Sequence, residues 1–193
     1  MAPPTLILIT GYARSGKDTL AGGILAGAAT PHFVKLNFAD FLKSAANTFM
    51  QAVGLFIKGD RDFNEDDFKA RKRKFLVDAG TFARSINVDV FADLFVRKCE
   101  NAAAAWDDGI VVVCSDWRYV NEYKVARGLE SAGWRIITIR IDTTGIDAAN
   151  EEEGQSIGAI TREIPIGLSY SFQPASKDKI HAEGIFIARQ LGI

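Results

Sequence analysis

The stretch Gly11-Tyr12-Ala13-Arg14-Ser15-Gly16-Lys17-Asp18-Thr19 places two glycines and a lysine at the spacing Gly-x4-Gly-Lys. Glycines at those places let backbone N–H groups turn inward around an anion, and a helix beginning at the lysine adds positive potential. Lys17 then reaches the outer phosphates of a bound nucleotide as a point charge. The plainer alternative is a glycine-containing strand-to-helix turn with an exposed lysine. A strand before the motif and a helix after it favour the phosphate loop. Asp18 stands where a Ser or Thr usually follows the lysine, and Thr19 comes next. Either Asp18 or Thr19 could serve Mg²⁺, and Asp18 could instead complement the helix dipole from the first turn.

A second group reads as the acceptor side. Asp116 and Arg118 follow the apolar run 110–114. Ligands of open α/β sheets bind beyond the carboxyl ends of strands. Asp116 could hold Mg²⁺ or take the acceptor's proton, and Arg118 could grip a phosphate with both arms of its guanidinium. The plainer alternative makes Asp116 a cap for the next helix and Arg118 a surface charge. Phe38-Ala39-Asp40-Phe41-Leu42-Lys43 ends another strand candidate. There Asp40 and Lys43 could touch the acceptor and the aromatic rings could wall a base, although a capped amphipathic helix explains the same pattern. Arg84 could clamp an acceptor phosphate. Arg140, at a strand end, and Arg162 could neutralise charge on a transferring group. His32 and His181 have no partner pattern.

Elements must carry these groups. Residues 5–10 form a short apolar run suited to a buried parallel strand, and residues 17–26 suit a helix. Strands are expected over 33–38, 110–114 and 134–141. Asp40 is expected to cap a helix with apolar positions at helical spacing. Residues 54–67 read as a loop. Helices are expected from residue 68, over 88–105, and over 120–132 with Gly133 closing the last. Residues 143–174 contain several Gly and Pro and no sustained apolar period, which suggests an irregular lid. A short strand at 178–181 and a helix at 185–191 would finish the chain. Strands alternating with helices imply a three-layer α/β fold, a parallel sheet covered on both faces, in a single domain.

Composition narrows the classes. The 193 residues are 48% hydrophobic, enough for a sizeable core, and the formal charge of −1 argues against a surface for gripping long nucleic acid. Two cysteines without C-x-x-C spacing fit a reducing cytosol. No apolar run reaches spanning length, so no membrane partner is expected.

Taken in order, Gly-x4-Gly-Lys-Asp-Thr, Phe-Ala-Asp-x-Leu-Lys, Gly-Thr-x-x-Arg and Ser-Asp-x-Arg-x-x-Asn-Glu resemble the deoxynucleoside monophosphate kinases of tailed bacteriophages, over residues 5–140. The resemblance implies an adenylate-kinase-like fold and transfer of the ATP γ-phosphoryl group to a deoxynucleoside monophosphate with Mg²⁺. By position it implies ATP contacts from Gly11, Arg14, Ser15, Gly16, Lys17, Asp18 and Thr19. It places Asp40, Lys43, Arg84, Asp116, Arg118 and Glu122 toward the acceptor or metal. It also implies small nucleotides as partners and a cytoplasmic setting, that of the host for a phage protein. A homodimer is compatible with the sequence. The rival readings are a related kinase acting on dephospho-coenzyme A, phosphomevalonate or a hydroxymethylated base in DNA, and a module that binds nucleotide without transfer.

Overall fold

The computed structural model describes residues 3–56, 62–106, 109–174 and 176–193. Five strands form one sheet: β1 (Thr5–Thr10), β2 (Phe33–Lys35), β3 (Val111–Cys114), β4 (Arg135–Thr143) and β5 (Leu168–Phe172), in the order β2-β3-β1-β4-β5. Every pairing is parallel, with Leu8 opposite Cys114 on one side and Thr138 on the other. A parallel sheet needs helical crossovers, and these cover both faces. The expected three-layer α/β architecture is therefore present.

Alternation along β1 divides the core. Leu6 and Leu8 pack with α5 (Val90–Ala103), α6 (Val120–Ala126) and α7 (Glu151–Glu163) through Phe95, Ala126 and Ile160. Ile7 and Ile9 face α1 (Lys17–Gly27) and α8 (Lys177–Leu191) through Leu20, Ile24 and Ile187. All six residues of β1 are buried, as a central parallel strand requires. Helices α1 and α8 approach so closely that a Cβ on Gly184 would lie 2.5 Å from the Leu20 carbonyl oxygen, and one on Gly23 would lie 2.1 Å from that of His181. A smaller cluster, with Met50, Phe63 and Phe68, joins α2 (Ala39–Ala52) to α3 (Asp66–Arg71); Phe75 and Leu76 of α4 (Arg73–Ile86) pack against it.

Several expectations change. The first concerns residues 143–174, which contain α7 and the edge strand β5 instead of irregular chain. Ile157, Ile160 and Ile164 put one face of α7 into the core, and Leu168, Tyr170 and Phe172 pack while Ser169 and Ser171 face out. The second is the expected strand at 178–181, which is the start of α8, where Ile180, Gly184, Ile187 and Ala188 recur at helical spacing. Third, β2 stops at Lys35, and the helix expected over 120–132 tightens into a 3-10 turn (Arg127–Ala132) before Gly133 ends it at φ 82°. Of the expected loop over 54–67, residues 57–61 lie outside the described residues.

Candidate functional site

The turn after β1 is shaped by two glycines. Gly11 has φ 146°, and a Cβ there would sit 2.2 Å from the Ile141 carbonyl oxygen. Gly16 has φ 93°, stands just before α1, and faces Ile180 of α8, whose Cδ1 would lie 2.7 Å from an added Cβ. Arg14, between them, also takes a left-handed φ of 67°. The first turn of α1 therefore follows the loop directly, and the N–H groups of a helix start are ones that an anion in the loop could satisfy. Lys17 folds back over this turn and donates from Nζ to the carbonyl oxygens of Gly11 (2.7 Å) and Tyr12 (2.6 Å). Burial lowers its pKa to about 8, and the nearby Arg118 charge adds to the effect; Glu153, Asp18 and Asp116 oppose it. The hydroxyls of Ser15 and Thr10 are buried without a hydrogen-bond partner. An unpaired buried hydroxyl in a loop of this shape is a polar group that a bound phosphate could satisfy.

Asp18 leans away from the loop toward β2 and β3. Its Oδ1 accepts from Lys35 Nζ at 2.5 Å and from Ser115 Oγ at 2.7 Å, and these partners lower its pKa against the opposing effect of burial. Lys35 thus offsets the negative charge that stands in the usual Ser/Thr position. The Asp18 side chain is 80% exposed, so it is open to an incoming Mg²⁺. Among the described residues no group of three or more His, Cys, Asp or Glu could hold a metal. A Mg²⁺ ion here would take most of its ligands from phosphate oxygens and water, as this cation commonly does.

The acceptor-side residues divide in two. Asp116 is engaged with the chain itself: Oδ1 accepts from Phe38 N and Oδ2 from Ala39 N, both at 2.9 Å, and Cys114 Sγ donates to Oδ1 at 3.2 Å. It caps α2 from the end of the adjacent strand β3, where no side chain at the helix start does so. Burial raises its pKa and those two amides oppose the rise. Asp40, expected to be that cap, lies inside the first turn; its Oδ2 accepts from Asn37 N at 2.9 Å and its Oδ1 from Lys43 Nζ at 3.3 Å. Glu122 turns to the backbone too, with Oε2 accepting from Arg118 N (2.8 Å) and Tyr119 N (3.0 Å) at the start of α6. Burial, and then the Asp116 charge, push its pKa up to about 8. Phe38 is only 2% exposed and packs on Phe95 with ring centroids 4.2 Å apart, so it belongs to the core instead of a base-binding wall.

Arg118 and Arg84 are differently placed. Arg118 is 41% exposed, and its charge helps to lower the pKa of Lys17. Arg84 lies over the rings of Phe91 (5.0 Å) and of Tyr119 (4.8 Å), the residue that follows Arg118. Arg140 forms a two-armed pair with Asp142, Nε to Oδ2 at 2.7 Å and Nη2 to Oδ1 at 3.0 Å, and its other arm meets Thr161. Arg162 is exposed in the last turn of α7, against Gly158. The helix start that contacts the phosphate loop lies roughly 13 Å away along α7, at 1.5 Å per residue.

Sequence reasoning missed Glu153. It is 2% exposed, and its Oε1 accepts from Ala13 N of the phosphate loop and from Arg118 Nη2, each at 3.1 Å. Its Oε2 accepts from Ala149 N at 2.7 Å. Asn150 caps α7 by accepting from Glu153 N at 2.9 Å. The signal was the spacing Asn150-x-x-Glu153, an N-cap residue followed three later by a Glu.

No family model matches the chain. No curated protein matches it either. Among solved structures, the chain is similar to that described as the crystal structure of APE1195, with a TM-score of 0.49 and 13% identity over 100% of this chain and 99% of that one. It is also similar to a gluconokinase from Sinorhizobium meliloti 1021, with a TM-score of 0.42 and 15% identity over 100% of this chain and 95% of that one.

Proposed function

We propose that this chain is a phosphotransferase that moves the γ-phosphoryl group of ATP to a deoxynucleoside 5′-monophosphate, giving the diphosphate and ADP. The observation that carries the reading is the convergence of two cations on one site: Lys17 over the glycine turn, and Arg118, whose guanidinium shares a Glu153 oxygen with Ala13 N of that turn. A site that only binds nucleotide needs the first cation. Transfer needs the second, because charge builds on the moving phosphoryl group and on the oxygens beside it. The open first turn of α1 holds the donor phosphates, and Ser15 adds a buried hydroxyl. Mg²⁺, held by Asp18 with Thr19 near by, would neutralise charge on the phosphate oxygens. Arg118, Arg84 and Lys43 serve the acceptor's phosphate. The acceptor class follows the four motifs that resemble the phage kinases. Asp116 acts on the acceptor loop by fixing the start of α2.

An assay of ADP formation with ATP, Mg²⁺ and a panel of monophosphates tests this. At least one deoxynucleoside monophosphate should react faster than its ribonucleotide. A site packed against C2′ leaves the extra hydroxyl unpaired at about 1–3 kcal/mol, or roughly ten- to a hundredfold in kcat/KM. If ribonucleotides win for every base, or if only a non-nucleotide acceptor reacts, the acceptor assignment is wrong while phosphoryl transfer stands.

A further inference from the structure

We infer that Glu153 is a positioning residue that ties the phosphate loop to Arg118 and so sets the arginine beside Lys17 for transfer. The inference deepens the phosphoryl-transfer reading and rests on it. Glu153 lies on α7, yet one of its oxygens accepts both from the donor-side amide of Ala13 and from the acceptor-side guanidinium of Arg118. Its other oxygen is held by the Ala149 amide, and its own N–H by Asn150, so the carboxylate has little freedom to leave. Arg118 is fixed from the other end, where its backbone N–H donates to Glu122. Two cations brought together repel each other. A buried anion in contact with one of them lets both stay charged, and Glu153 raises the pKa of Lys17 against the effect of Arg118. One guanidinium arm is committed to Glu153, while a side chain that is 41% exposed leaves the others available to a phosphate.

Glu153→Gln tests the link. The amide oxygen keeps an acceptor for a backbone N–H, but the charge that holds Arg118 is gone. At saturating ATP and the best monophosphate, kcat should fall about 10- to 100-fold, the usual weight of a hydrogen bond to a charged group. ATP affinity, titrated directly, should change far less. Glu153→Asp keeps the charge and should recover part of kcat. Arg118→Gln should lower kcat as well, and the double variant should be no worse than Arg118→Gln alone, because both act through one contact. Amide exchange gives a reading that does not depend on turnover: the Ala13 N–H should exchange faster in Glu153→Ala, which removes its acceptor, than in the parent and stay slow in Arg118→Gln. Parental kcat in a folded Glu153→Gln, multiplying losses in the double variant, or unchanged Ala13 exchange in Glu153→Ala would each overturn the inference. If Glu153→Gln fails to fold, Glu153→Asp carries the same comparison. If the parent transfers to no acceptor at all, the proposed reaction falls, and Ala13 exchange alone decides whether the link exists.

Discussion

Lys17 rests on two backbone carbonyls with its pKa lowered to about 8, and an incoming triphosphate would replace those carbonyls with charge. Phosphate must raise that pKa, so the sign of the coupling is fixed. Below pH 8 the lysine is charged before and after ATP arrives, and affinity should be flat with pH. Above pH 8 the free protein has lost the proton, and binding must take one up. ATP affinity, measured by calorimetry in two buffers of different ionisation enthalpy, should weaken by up to about tenfold per pH unit there, with proton uptake. Lys17→Ala should remove the pH dependence and abolish transfer while leaving the fold intact. Near-normal turnover in that folded variant would defeat the phosphate-loop assignment. Glu122 offers the opposite sign. Its folded pKa of about 8 lies above the ordinary 4.5, so the folded protein binds the extra proton. That contribution to stability is complete below about pH 4.5 and is lost as pH rises through 8. Glu122→Gln keeps an oxygen for the Arg118 and Tyr119 amides without the buried charge. It should be more stable than the parent by about 1–3 kcal/mol at pH 9, with the gain vanishing at pH 5. A gain that persists at pH 5 would point to packing instead of charge.

The elements behind these residues were partly legible in the sequence. β1 could be read because a central parallel strand is apolar at every position, and the Gly-x4-Gly-Lys turn because only glycine fits beside Ile141 and Ile180. Segment 143–174 was misread because Gly154 and Gly158 lie inside α7 and hide its Ile157, Ile160, Ile164 spacing. The alternation in Leu168-Ser169-Tyr170-Ser171-Phe172 was a strand signal passed over for the prolines around it. The role of Asp116 was beyond local reading, because the amides it caps lie 77 and 78 residues away in the chain. Since α7 and β5 are packed, hydrogen exchange should be slow in both without ligand, and fast only between Thr144 and Ala149, whose own amides are bonded to Phe172 and Glu153; nucleotide should slow exchange in that loop. Fast exchange across α7 in the free protein would restore the larger lid. The glycine contact between α1 and α8 makes a second prediction at this scale. Gly184→Ala forces a methyl toward the Leu20 carbonyl and should cost about 1–3 kcal/mol, whereas Gly128→Ala, with nothing within 4 Å, should be neutral or slightly stabilising. Thermal midpoints separate the two.

At the scale of the molecule, the carboxyl ends of β1 and β3 deliver the donor loop and the Ser115–Arg118 segment to one edge of the sheet, with Asp18 and Ser115 touching across the gap. Helix α2 is fixed to the same edge by Asp116, and α7 reaches it through Glu153. Four elements that are distant in sequence therefore share one site. None of the described helices is long and apolar enough to cross a membrane. If donor and acceptor phosphates meet at that edge, one molecule that carries both should engage every element together. Two nucleosides joined through five phosphates have that form. A ligand present at a hundred times its Kd stabilises the folded state by about 2.7 kcal/mol. For a chain of 193 residues that corresponds to a rise of about 5–10 °C in Tm. The bisubstrate compound should reach this rise at a lower concentration than ATP does, because its second nucleoside monophosphate adds contacts to Arg118, Arg84 and Lys43. Lys17→Ala should reduce the rise by removing the donor half, and Arg118→Gln should bring the compound down to the level of ATP alone. Equal stabilisation by ATP and by the five-phosphate compound in the parent would show that the acceptor half finds no nucleotide site. The edge would then serve a phosphoryl acceptor of another kind.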